Sequence, residues 1–98
     1  MNRNQILDKA KETLAKRGES YGEAHESFDR AAGMWSCILG VDVEAHQVAA
    51  CMIAMKLSRL HNDPAHFDSI MDIAGYAALW SECVEIGTAN LYDERSHE

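Results

Sequence analysis

Apolar residues along the 98-residue chain recur at three- and four-residue spacings, interrupted by few glycines and by one proline, Pro64. That period collects side chains on one face of an α-helix. Long periodic stretches with short polar joints predict an all-α chain of four helices. The first is expected over about residues 4–17, with Ile6, Leu7, Ala10 and Leu14 as its stripe and Gly18 as its end. The second covers about residues 23–39. Phe28, Ala31, Ala32, Trp35, Ile38 and Leu39 are its core candidates, and Gly40 is its left-handed C′ residue. Asp42 is the expected N-cap of the third helix, which runs to about Leu60. Residues 48–60 are apolar almost all round, the pattern of a helix buried on more than one side. After a turn at His61-Asn62, Asp63-Pro64 reads as N-cap and first position of a fourth helix, which continues to about Ile86 and stops at Gly87. Residues 1–87 form one domain on this reading, and 88–98 a flexible tail.

Helices three and four then form a tight antiparallel hairpin with more apolar surface than two shorter helices can cover. The excess is expected to pack against further copies in a closed homo-oligomer.

Composition narrows the function. The apolar fraction is 47%, as in a globular domain, and 98 residues suffice for one domain. A net charge of −7 argues against duplex nucleic acid as a partner, because a phosphate-binding face is normally basic. No apolar run reaches the roughly 20 residues that span a bilayer, and the charged N-terminal stretch lacks a signal-peptide core, so a cytoplasmic protein with no membrane partner is expected. Cys37, Cys51 and Cys83 form no Cys-x-x-Cys pair and lie in apolar stretches. They read as buried free thiols suited to a reducing compartment.

The chemistry concentrates on the hairpin. Lys56 and Arg59 share a face of the third helix, inside an apolar run where a charge is costly unless paired. Asp68, Asp72 and Tyr76 recur at four-residue spacing on the fourth helix, with Gly75 open to a close neighbour. Counted from a turn near Asn62, Lys56 falls level with Asp68. One reading is a polar pocket in which Lys56, Arg59 and His66 hold phosphate while Tyr76, Tyr21 or Trp35 stacks on a base. The other is a set of ion pairs that fix the register of two helices. Glu23 and Glu26, combined with Asp68 and Asp72, could also make a carboxylate cluster for Mg²⁺, although solvated helix faces carry such spacings constantly. There is no complete catalytic signature: no His pair at zinc spacing, no P-loop, no dinucleotide fingerprint and no nucleophile elbow.

Tyr21-Gly22, Phe28, Trp35, Leu39-Gly40, the segment from Met52 through Lys56 to Arg59-Leu60, Asp68, and Asp72-Ile73-Ala74-Gly75-Tyr76-Ala77-Ala78-Leu79 together resemble a small helical domain family of unknown function found largely in phages and prophages. The likeness covers about residues 4–86. A more distant resemblance is to all-α nucleotide pyrophosphohydrolases of the MazG type. It implies helical hairpins in dimers or tetramers and Mg²⁺ bound through Glu-x-x-Glu and Glu-x-x-Asp motifs, with Asp72 in a ligand position. The preceding helix departs from that pattern: it carries Gln47-Val48-Ala49-Ala50-Cys51-Met52 where an acidic motif belongs.

The leading expectation is a phage-type protein that binds a nucleotide or nucleotide-derived signalling molecule between its helices, in the host cytoplasm, with an anti-defence role. One rival is a Mg²⁺-dependent nucleotide hydrolase, using Glu23, Glu26, Asp68 and Asp72 on the metal. Another is a protein–protein inhibitor of a host factor.

Overall fold

In the computed structural model the chain forms four helices: α1 (Arg3–Tyr21), α2 (Ala24–Leu39), α3 (Ala45–Asn62) and α4 (Phe67–Arg95). The structure describes residues 1–21 and 23–95, and the side chains of 1–20 and 23–87. Among these residues there is no strand, and no helix is long and apolar enough to cross a membrane. The α3–α4 hairpin forms the main interface; α1 lies against α4, and α2 against α3.

Local chemistry sets the boundaries. Asn2 and Gln5 cap α1 reciprocally: Gln5 N–H donates to Asn2 Oδ1 at 2.8 Å, and Asn2 N–H to Gln5 Oε1 at 2.9 Å. Gly18 does not end the helix, which continues to Tyr21. A helical glycine costs about 1 kcal/mol relative to alanine, too little to force a stop by itself. For the same reason α4 passes through Gly87 to Arg95. The tail expected over residues 88–98 lies outside the described side chains. Gly40 does close α2, with φ 71° and its N–H on Ser36 O. Ser36 Oγ then accepts the Val43 N–H at 2.9 Å, which ties the connecting loop to α2.

The α3 cap is Glu44 rather than Asp42, because Gln47 supplies the reciprocal partner that completes a capping box. The hairpin turn also differs from expectation. Asp63 closes α3 rather than capping α4: its N–H bonds Arg59 O, and its Oδ1 accepts the Ala65 N–H at 3.1 Å. His66 starts α4 instead: its Nδ1 lies 2.8 Å from Ser69 Oγ and accepts the Ser69 N–H at 3.3 Å.

The core is built mainly from small side chains. Ala10, Ala32, Val48, Ala49, Ser69, Met71 and Cys83 are buried. Cys37 and Cys51 are exposed, so only one of the three thiols is buried as expected. The surround of α3 is also more open than its sequence suggests, with Met55 and Leu57 exposed. On and just after α2, Met34, Ile38, Leu39 and Val41 are exposed, Ile38 at 80%. The radius of gyration is 15.3 Å, against about 13 Å for a compact domain of 100 residues.

Candidate functional site

Asp72 is the centre of the candidate site. It is nearly buried, facing α3 and α1 from the second turn of α4. Lys56 of α3, whose side chain is also mostly buried, places Nζ 2.9 Å from Asp72 Oδ2. Arg17 of α1 places Nη2 3.2 Å from Oδ1, with its side chain half-exposed. Each carboxylate oxygen therefore takes one cation, and the three side chains together carry one net positive charge.

The triad lines a cleft of about 890 Å³ between α1, α2 and α4, with Lys56 entering from α3. Beside the triad the rings of Phe28 and Tyr76 stack with centroids 6.3 Å apart and an interplanar angle of 30°. Leu14 packs 3.6 Å from where a Cβ on Gly75 would stand, so the neighbour that Gly75 admits is a side chain of α1. Glu19, Glu23 and Glu82 complete the charged lining. Counting Asp72, the cleft holds four carboxylates against two cations, a net formal charge of −2.

The residues singled out from the sequence thus separate. Lys56, Asp72, Tyr76 and Glu23 line the cleft; Arg59, His66, Asp68, Trp35 and Glu26 do not. Arg59 is exposed in the last turn of α3, where a cation meets the negative end of the helix dipole. Asp68 and Glu26 are exposed in the first turns of α4 and α2, the matching positions for an anion. His66 is occupied in capping α4. Trp35 is half-buried on α2, away from the cleft. The Tyr21 side chain lies outside the described residues. Lys56 pairs with Asp72 and not with Asp68, one helical turn further along α4.

Glu23, Glu26, Asp68 and Asp72 do not converge into an Mg²⁺ cluster. Two of them stand outside the cleft, and Asp72 has both oxygens engaged by cations. Arg17 and Phe28 are additions. Arg17 extends the Ala10–Leu14 stripe by three residues on the same helical face, the one sequence signal that points to it.

A second cleft of about 440 Å³ is lined by His25, Asp29, His46 and Cys83 among others. His46 also stacks on Trp80, centroids 6.1 Å apart. The Cys83 thiol pKa is raised, first by burial and then by the negative charges of Asp29 and Glu82.

A family model described as a domain of unknown function, DUF6378, matches residues 5–84. The chain belongs to this family. DUF6378 takes in the whole of the triad and the Phe28–Tyr76 pair. Two relatives are encoded by mycobacteriophages, in keeping with the phage-associated family that the sequence resembles. The Gene 55 protein of Mycobacterium phage L5 is 37% identical over 76 residues, covering 76% of this chain and 49% of that protein. The Gene 55 protein of Mycobacterium phage D29 is 34% identical over 90 residues, covering 91% of this chain and 54% of that protein. The chain therefore spans about half the length of these relatives. No solved structure matches.

Proposed function

We propose that the chain binds a small molecule of nucleotide type in the cleft between α1, α2 and α4. The observation that carries this reading is the convergence of Arg17 and Lys56 on Asp72 beside the Phe28–Tyr76 pair. Asp72 holds both cations in place without using all their donors. The guanidinium has five N–H groups and the ammonium three, so each keeps some for an anion. The rings offer a flat apolar surface to a base. A volume of about 890 Å³ lies within the range of roughly 300–1,000 Å³ usual for small-molecule sites.

The acidic lining narrows the ligand class. Glu19, Glu23 and Glu82 repel a highly charged polyphosphate, whereas a monophosphate or a phosphodiester brings little charge to the one cationic corner. Thermal shifts in metal-free buffer test this directly. Nucleoside monophosphates or cyclic dinucleotides should raise the melting temperature more than nucleoside triphosphates do, since ligand bound to the native state stabilises it by mass action. Equal or larger shifts with triphosphates would contradict the reading.

The role that fits is binding without turnover. Sequestration of a host nucleotide signal in the host cytoplasm is consistent with relatives encoded by phages. A MazG-like hydrolase built on Glu23, Glu26, Asp68 and Asp72 is less well supported, because these four carboxylates do not gather. The exposed Met34, Ile38, Leu39 and Val41 favour a homo-oligomer, whose contact would cover this apolar strip at the end of α2.

A further inference from the structure

Glu23 and Glu82 line the first cleft and His25 the second, and none of the three belongs to the triad. Each offers a metal-ligating atom, and the three atoms lie within 4.8 Å of one another. They come from two helices: Glu23 and His25 from the start of α2, Glu82 from the middle of α4.

Three observations set them apart from an ordinary solvated acidic face. Glu23 occupies the N-cap position of α2, yet its side chain makes no capping hydrogen bond. His25 Nδ1 is buried and has no hydrogen-bond partner, although it lies 3.9 Å from Glu23 Oε2. Buried imidazole nitrogens are normally satisfied, and an orphan atom of this kind calls for an explanation. Glu82 forms no ion pair among the described residues, so two carboxylates approach each other with no Lys or Arg between them. One cation supplies what all three lack.

We propose that Glu23, His25 and Glu82 form a binding site for one divalent first-row transition-metal ion. One imidazole nitrogen with two carboxylate oxygens is a mixed donor set of the kind Mn²⁺ accepts; an all-oxygen site would suit Mg²⁺ or Ca²⁺ instead. Metal–ligand bonds of about 2.1 Å put opposite ligands roughly 4.2 Å apart, so the observed spacing closes with small rotations of the two exposed glutamates. Water completes the coordination from the cleft side. The site shares Glu23 and Glu82 with the lining of the nucleotide cleft, but it uses neither Arg17, Lys56 nor Asp72, and it is tested without any nucleotide present.

Mn²⁺ is the probe of choice, because the exposed Cys37 and Cys51 would compete for Zn²⁺. The full chain is titrated with MnCl₂ and free Mn²⁺ is read from its electron paramagnetic resonance signal. One ion per chain is expected, with nitrogen coupling from one imidazole in the pulsed spectrum. Glu82→Gln, at an exposed position, should weaken binding by about tenfold or more while leaving the helical circular dichroism unchanged. His25→Ala should weaken it similarly and remove the nitrogen coupling. If His25→Ala fails to fold, Glu82→Gln and the wild-type nitrogen coupling decide. No stoichiometric binding up to millimolar Mn²⁺, no nitrogen coupling in wild type, or unchanged affinity in Glu82→Gln would overturn the assignment.

Discussion

Lys56 Nζ and Asp72 Oδ2 are 2.9 Å apart, eight residues on either side of Pro64, with both side chains largely removed from water. This pair fixes the register of the α3–α4 hairpin and holds a cation at the cleft wall. Removing one partner of a buried pair costs far more than removing both, since the survivor is left charged and unpaired. Lys56→Met should therefore destabilise the chain by about 2 kcal/mol, below the full buried-pair cost because Arg17 still faces Asp72. Lys56→Met combined with Asp72→Leu should recover most of that loss. Urea melts of the two single variants and the double variant supply the test, and additive losses would show that the pair is uncoupled.

The glycines give a stability prediction of opposite signs. Nothing lies within 4 Å of a Cβ built on Gly33, which sits inside α2. Gly33→Ala should stabilise by about 0.5–1 kcal/mol. Gly40 has φ 71°, and Gly40→Ala should destabilise by about 1 kcal/mol although its surroundings are equally open. Thermal melts distinguish the two.

The thiols differ in reactivity. Cys37 and Cys51 are exposed, whereas Cys83 is buried with a raised pKa, caused first by burial and then by Asp29 and Glu82. At pH 8 iodoacetamide should modify Cys37 and Cys51 first, with Cys83 slower by about tenfold or more, read by peptide mass spectrometry. The shift also has a sign in stability. The folded chain holds the Cys83 proton more tightly than the unfolded chain. That contribution is complete below the ordinary thiol pKa and is lost as pH rises through the raised value. Cys83→Ala should flatten the alkaline limb of the stability profile.

Four helices were legible because the apolar period is strong, and Gly40 was legible because a left-handed closing residue has its own chemistry. The partner of Lys56 was not. A turn centred near Asn62 lies two residues before the true centre at Pro64, and in an antiparallel hairpin that error moves the facing residue by four, from Asp68 to Asp72. Arg17 escaped because its role depends on how α1 docks against α4, which periodicity does not encode. Cysteine exposure failed for a related reason: an apolar stretch shows that some face is buried, and tertiary packing decides which. Glu44 displaced Asp42 as the α3 cap because the reciprocal glutamine mattered more than the intrinsic preference for aspartate.

The central claim is that the cationic corner of the cleft holds an anionic ligand, and Arg17 tests it most directly. Its side chain is half-exposed, so Arg17→Gln should cost only about 0.5 kcal/mol of stability. Isothermal titration of the full chain with nucleoside monophosphates and cyclic dinucleotides, in the presence of a metal chelator, should show one ligand class binding. Arg17→Gln should weaken that binding by about tenfold or more, the scale of a lost charge-assisted hydrogen bond. Heat from none of these ligands, or an affinity that Arg17→Gln leaves unchanged, would contradict the account.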